Sequence, residues 1–144
     1  MTFDYSQTYL YKLHKLTNLL DKIFDQNLRR HADIGLSQFT LLLSIAQHQP
    51  TTQRTIADFL DLSAGAISRQ VEIAQQNGQI TVEGGVDRRA QSLTITKSGQ
   101  SKINSGIAVL EKHVFSIFSD ENVQTNLMQH IDLLQSNVND LNKK

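Results

Sequence analysis

The side chains of this sequence that are best suited to bind a phosphate or the edge of a base lie in its middle third. Arg69 can form a bidentate hydrogen-bond pair with guanine or bind a phosphate. Small residues just before it would let the backbone approach a partner closely. These small residues are Ser63, Ala64, Gly65 and Ser68. Two further cations, Arg88 and Arg89, follow Asp87. The types and spacing of these residues favour binding of an anionic partner.

Other kinds of chemistry find little support in the sequence. The absence of cysteine excludes a disulfide framework, a thiolate metal site and a cysteine nucleophile. Ser101 follows Gly99 at the offset of a nucleophile elbow, but the second glycine is missing. No two of the five histidines show His-x-x-x-His spacing, so solvated or core positions explain His31, His48 and His113 more simply than a metal site does. We therefore expect no enzyme, no metal and no cofactor.

Composition indicates one compact domain spanning residues 1–144, of which 39% are hydrophobic. Fourteen basic and fourteen acidic side chains cancel, so affinity for nucleic acid must come from a local patch. No apolar run approaches the roughly 20 residues that span a bilayer, and the N-terminus lacks a signal-peptide pattern. We expect a cytoplasmic protein.

Glycine and proline lie only between Gly35 and Gly106, which predicts long helices at both ends and short elements between them. Apolar periodicity and capping residues predict six helices. The first four run from Tyr5 to about Arg30, from an N-cap at Ser37 to Gln47, from Thr51 or Thr52 to Leu60, and from Ser63 to Asn77, with Gly78 as the C′ residue. The fifth starts at Thr96 or Ser98 and reaches Ile117, and the sixth starts at Ser119.

Between the fourth and fifth helices the period changes to two. Alternation around Ile80–Val82 and Leu93–Ile95 predicts a hairpin whose loop holds Asp87, Arg88 and Arg89. A helix, a tight turn, a second helix and a hairpin therefore follow one another in the chain. This order is that of a winged helix-turn-helix. The arginines of the loop could enter a minor groove; the alternatives are a solvated charge pair or an arginine braced by Asp87.

The fourth helix has two distinct faces at 100° per residue. An apolar stripe predicted to face the core consists of Ile67, Val71 and Ala74. The opposite face consists of Gly65, Ser68, Arg69, Glu72 and Gln76. This small, polar outer face suits a helix that enters the major groove. The alternative is an ordinary surface helix that carries one arginine.

From Leu36 to Gly99 the chain resembles the MarR family of bacterial transcription regulators. The resemblance rests on an ordered set of short motifs at family spacing. These are Thr52-Gln53 with Ile56-Ala57, the run Leu62 to Arg69, Gly78, Asp87-Arg88-Arg89-Ala90, Leu93-Thr94-Ile95-Thr96 and Gly99. The flanking helices fit in length and pattern but carry no motif.

The resemblance implies a mainly α fold with a small β-hairpin wing. A winged helix-turn-helix lobe at about 36–99 would be flanked by long N- and C-terminal dimerisation helices at about 5–31 and 97–144. A homodimer would bind a palindromic site in double-stranded DNA, repress transcription, and leave when a small aromatic or anionic effector binds. By this resemblance Ser63, Ala64, Gly65, Ser68 and Arg69 read the major groove. Arg88 or Arg89 would probe the minor groove, and Thr52 and Gln53 would hold phosphate.

The sequence also departs from the family pattern. The hairpin is short, Glu83 and Gly84 stand where basic residues are expected, and Thr51–Gly99 holds five basic and five acidic residues. We expect weaker and less salt-dependent DNA binding than in a typical relative. The alternative function is a dimeric winged-helix protein-interaction module with weak or no DNA binding. Heptad-like apolar seams in both terminal helices favour pairing between chains over coverage of the chain's own core.

Overall fold

A computed structural model describes residues 4–84 and 90–142 of the chain. It contains six α-helices and three short strands in these ranges. The helices are α1 (Tyr9–Ala32), α2 (Leu36–His48), α3 (Gln53–Leu60), α4 (Ala64–Gln76), α5 (Lys97–His113) and α6 (Glu121–Asn142); the strands are β1 (Thr51–Thr52), β2 (Ile80–Glu83) and β3 (Ser92–Ile95). Two 3-10 turns, Tyr5–Gln7 and Phe115–Phe118, precede α1 and α6. The mainly α fold with a β-hairpin is confirmed.

The three strands form an antiparallel sheet in the order β1-β3-β2. Ile80 pairs with Ile95 across the predicted hairpin, and Thr51 pairs with Leu93 on the other side of β3. The sequence did not predict β1, because two residues are too short to show a period of two. Leu93, in the central strand, is fully buried, so the sheet is anchored to the core at this point.

One cluster of buried side chains joins the sheet, the short helices and two of the long helices. It extends from Leu28 in α1 through α2 to Ile103 in α5. Its fully buried members include Leu41, Leu42, Ile45, Ile56 and Ile67. Helix α2 joins the two parts of the molecule, because it packs against α1 and α5 and also against α3, α4 and β3.

Three predicted helix starts are confirmed. The hydroxyls of Thr52, Ser63 and Thr96 accept hydrogen bonds from the backbone N–H three residues later. Gly78 ends α4 with a φ of +65°, the left-handed conformation that glycine adopts at little cost.

Two other predicted caps are wrong. The N-cap of α2 is Gly35, not Ser37, and its first N–H, from Leu36, donates to Asp25 Oδ1 at 2.9 Å. Asp25 belongs to α1, so a neighbouring helix supplies the cap. A hydrogen bond from Arg29, and then that from Leu36, hold the pKa of Asp25 below its ordinary value. At the start of α6, Asp120 rather than Ser119 accepts the N–H groups of Asn122 and Val123.

Two helix limits also differ from the prediction. The first helix begins at Tyr9, where Thr8 caps it, because the chain forms a 3-10 turn before this point. The fifth helix ends at His113 instead of reaching Ile117. Val114 leaves helical geometry with φ −126° and stays fully buried, and the four residues after it form a 3-10 turn.

We predict opposite effects of alanine at two helical glycines. A Cβ on Gly99 would overlap the backbone carbonyl of Gln79, the residue before β2, whereas a Cβ on Gly65 would meet no atom within 4 Å. Gly99→Ala should therefore destabilise the protein by about 1–3 kcal/mol, and Gly65→Ala should stabilise it by about 0.5–1 kcal/mol. Urea unfolding measures both. Equal stability of Gly99→Ala and the wild type would contradict the close approach of β2 and α5.

Candidate nucleic-acid interface

The structure confirms that α4 has a buried apolar face and an exposed face, as the sequence predicts. Ile67, Val71 and Ala74 are 0%, 2% and 0% exposed. On the other side Ala64, Gly65 and Arg69 are exposed, and Ser68 is half-buried. The outward surface at the start of α4 is thus built from small side chains and one guanidinium group, which lets a partner approach the helix backbone closely.

The tight turn before α4 fixes the position of this surface. Asp61 adopts the left-handed conformation with φ +55°, and the N–H of Leu62 donates to the carbonyl of Ala57 at 3.0 Å. Behind the helix, Gln38 Nε2 of α2 donates to the carbonyl of Gln70 at 3.1 Å. The N-terminal half of α4 is therefore held from both sides while its outer face stays open.

Gly65 is a glycine that nothing inside the chain requires. It lies within a regular helix, where glycine costs about 0.5–1 kcal/mol relative to alanine, and a Cβ at this position would meet no atom within 4 Å. The open space at this position would let a partner approach the backbone of α4 closely.

The start of α3 lies beside the start of α4. A cavity of about 270 Å³ lies between them; its lining residues are Gln53, Arg54, Ala57, Asp58, Leu62 and Ala64. The hydroxyl of Thr52 is used as the helix cap and is 3.0 Å from the hydroxyl of Thr55. Of the predicted pair, Gln53 is thus the side chain that keeps its polar group available at this edge.

Sequence reasoning missed Arg54 as a candidate for contact with phosphate. Its side chain is 81% exposed and its Nε is 4.0 Å from the Asp58 carboxylate, so it is only loosely held. Arg69 has no ion-pair or hydrogen-bond partner among the residues that the structure describes. The signal that could have found Arg54 is its place next to Gln53, in the first turn of α3.

The predicted wing residues Asp87, Arg88 and Arg89 lie outside the described residues. The strands that lead to them are ordinary antiparallel partners, with the hydroxyls of Thr81 and Thr94 3.0 Å apart across the pair. Glu83, at the end of β2, is exposed. The carboxylate of Glu83 places a negative charge at the base of the wing.

The histidines do not form a metal centre in ranges 4–84 and 90–142, where no three His, Asp or Glu residues are close enough to share an ion. The ring of His48 contacts Phe59 at 4.5 Å between centroids, and the ring of His31 stacks on that of His113 at 4.6 Å. None of the helices in these ranges is both long enough and apolar enough to cross a membrane.

A second surface is an apolar groove beside α6. This groove of about 660 Å³ runs between α1, the 3-10 turn before α6, and α6 itself. Its apolar lining residues are Leu13, Leu16, Leu20, Phe115, Phe118, Leu127, Met128 and Ile131. The α6 seam predicted from the sequence is 37–69% exposed at all six positions. These positions are Val123, Leu127, Ile131, Leu134, Val138 and Leu141. Within one chain, α6 leaves its apolar face uncovered.

Comparison with known proteins shows which family the middle of the chain is similar to. Residues 32–90 match the MarR family. A relative from Bacillus cereus, described as an uncharacterized HTH-type transcriptional regulator, is 26% identical over 109 residues, which cover 76% of this chain and 72% of the relative.

Two solved structures share the fold. BpsR of Bordetella bronchiseptica, whose DNA binding is regulated by 6-hydroxynicotinic acid, superposes with a TM-score of 0.80 at 14% identity, covering 94% of this chain and 98% of that one. The DNA complex of MepR from S. aureus superposes with a TM-score of 0.78 at 17% identity, covering 94% and 99%. These likenesses support the fold, and the sequence matches support the class: the relatives are transcription regulators, not enzymes. The chain is therefore similar to the MarR family of transcription regulators: residues 32–90 match the family, and the fold agrees with that of the two solved structures.

Proposed function

We propose that this protein is a repressor that binds a palindromic DNA site as a homodimer. The observation that carries the proposal is the outer face of α4, where Gly65 and its small neighbours are exposed and Arg69 has no described partner inside the chain. Ser63, Ala64, Gly65, Ser68 and Arg69 would enter the major groove. Two such helices about 34 Å apart would contact half-sites roughly 10 bp apart.

The other contacts of the proposal are with the DNA backbone. Gln53 and Arg54 lie at the start of α3, beside the start of α4, where a phosphate of the same groove would pass. Thr52 would contribute through its place at the helix end, since its hydroxyl is already the cap. Arg88 or Arg89 of the wing remains the candidate for the minor groove, with Asp87 as a brace.

The apolar groove and the open face of α6 support the homodimer. A second copy would cover both, because a twofold axis places the same surface of each chain against that of the other. We propose further that a small aromatic or anionic effector releases the DNA. The support is the neighbour BpsR, whose regulator, 6-hydroxynicotinic acid, combines an aromatic ring with a carboxylic acid. The proposed function needs no metal or organic cofactor, and it places the protein in the cytoplasm with its DNA.

Selection of bound sequences from a random DNA pool, followed by anisotropy titration at low and moderate salt, tests the proposal. Enrichment of a palindrome with salt-sensitive binding supports a dimeric reader. Absence of any salt-sensitive retention favours the protein-interaction module instead. The neutral balance of charges predicts a shallow salt dependence, equivalent to a few phosphate contacts per subunit.

Arg69→Ala should weaken specific binding by about 1–3 kcal/mol and relax the base preference at one position per half-site. Arg69→Lys separates the two roles of the guanidinium group, because lysine keeps the charge and loses the bidentate geometry. If Arg69 contacts a base, Arg69→Lys keeps affinity for random duplex and loses the base preference. Unchanged preference in both variants would remove Arg69 from base reading.

A further inference from the structure

Two histidine rings lie face to face where α1 and α5 meet. The rings of His31 and His113 are 4.6 Å apart between centroids, with an angle of 8° between their planes. His31 lies in the last turn of α1, and His113 is the final residue of α5. Both side chains are exposed, so protons reach them from solvent.

The end of α1 is held by α5 at two places. Lys102 Nζ donates to the carbonyls of Ala32 and Asp33 at 2.9 and 3.0 Å, and His113 stacks on His31. From this end, α1 continues through three residues into α2 of the DNA-binding lobe. A change at the histidine pair therefore acts where a long helix joins the lobe. Histidine is the side chain that ordinarily changes charge between pH 5 and 8.

The charges around the pair are mostly positive. From α1 come Arg29, which is paired with Asp25, and Arg30. Asp33, just after α1, is paired with Lys102 of α5 at 3.5 Å, and α5 also contributes Lys112 and its one carboxylate, Glu111. The only titratable side chain of α2 is His48, which contacts Phe59, and the 3-10 turn Phe115–Phe118 has none. Among the described residues neither ring has an ion pair with a carboxylate, so a second proton would bring two positive rings together with little compensation.

We propose that the His31–His113 stack is a proton-sensitive contact that holds the end of α1 against α5 near neutral pH and separates when both rings are charged. Two neutral rings can stack at this distance, whereas two imidazolium rings in the same arrangement repel. Acidification would thus loosen the junction between a long helix and the lobe.

The titration of His113 agrees with this arrangement. The pKa of His113 lies below its ordinary value of 6.5. The largest cause is that neighbouring groups exclude water from the ring, and the charge of His31 and then that of Lys112 follow. A lowered histidine pKa means that the folded state favours the neutral ring. The corresponding stability is present above pH 6.5 and is lost as the pH falls through and below this value.

The experiment follows the ring protons of His113 by NMR between about pH 5 and pH 8 in the full chain. In His31→Gln the pKa of His113 should rise, because one of its two positive neighbours is gone. The matched control is His14→Gln, which removes an exposed histidine near the other end of α1 and should leave the pKa of His113 unchanged. The same pKa in all three proteins would overturn the proposal.

A second measurement compares Tm at about pH 7.5 and about pH 5.5. The wild type and His14→Gln should lose more Tm on acidification than His31→Gln or His113→Gln. Glutamine is tolerated at both positions because both side chains are exposed. An equal loss in all four proteins would also overturn the proposal.

Any effect on DNA affinity rests on the proposed function and is measured separately. On acidification to about pH 5.5, the wild type should lose more of its affinity for the selected DNA than His31→Gln does. If no variant binds DNA at any pH, the proposed function fails, and the NMR and Tm results still decide whether the histidine contact responds to protons.

Discussion

Gly65→Glu should abolish specific DNA binding and leave the protein folded. The first extra atom at this position meets nothing within 4 Å in the chain, so the glutamate has room in the free protein. Glutamate is also a better helix former than glycine. In the complex, the same side chain would separate α4 from the groove floor and add a negative charge among phosphates.

The expected loss of affinity is about 100-fold or more. Loss of one good base contact already costs about 1–3 kcal/mol, and displacement of the helix would break several contacts together. Anisotropy titration measures the affinity, and circular dichroism with urea unfolding shows that the fold is retained.

Gly65→Ala is the matched control for this variant. It adds only a methyl group and should keep most of the affinity while raising stability. If Gly65→Glu binds the selected DNA as tightly as the wild type, α4 does not lie in the groove with this face inward. Loss of binding together with loss of folding would contradict the open space at Gly65.

The double variant Leu127→Glu/Ile131→Glu should convert the proposed dimer into monomers. These side chains lie one helical turn apart in the α6 seam, line the apolar groove, and are 37% and 38% exposed in a single chain. A partner that fills the groove would bury both. Each unpaired charge transferred into such an interface costs several kcal/mol, and four charges per dimer would raise its dissociation constant about 1000-fold or more.

The individual chain should stay folded in this variant. In the described residues α6 packs chiefly against the 3-10 turn before it, and its seam is already solvated. Analytical ultracentrifugation measures the association, and circular dichroism checks the helical content. DNA affinity should fall with dimerisation, because a monomer contacts one half-site and loses the coupling between the two.

Ser136→Glu is the control for the added charge. Ser136 is exposed on the side of α6 opposite the seam, so its replacement should leave association unchanged. A double variant that sediments like the wild type would show that this seam is not the dimer interface. The result for Gly65→Glu is independent, because α4 and α6 belong to different surfaces.

Local interactions explain the parts of the fold that were predictable from the sequence. A cap such as Ser63 satisfies an N–H three residues away, and the stripe of Ile67, Val71 and Ala74 repeats at the helical period. Both depend on neighbours within about one turn, so a single sequence suffices to find them. The outward face of α4 follows directly, since the face opposite a buried stripe must be the exposed one.

The wrong predictions concern interactions between residues distant in the chain. Ser37 looks like a cap by type, but Asp25 of α1 reaches the first N–H of α2 and makes that cap unnecessary. β1 exists because Thr51 meets Leu93, and neither residue alone indicates the pairing. The need for glycine at position 99 arises from the backbone carbonyl of Gln79, the residue before β2, which the tertiary packing brings against α5.

The amino-acid order alone was therefore sufficient for the helix-turn-helix and the outward residues of α4, because these depend on short-range periodicity and capping. Packing decided which residues meet across the chain: the stack of His31 on His113, the open groove beside α6, and the empty space at Gly65. Each of these properties depends on the distances between segments that are far apart in sequence. Such distances are set by how the helices pack together, not by any pattern within one segment.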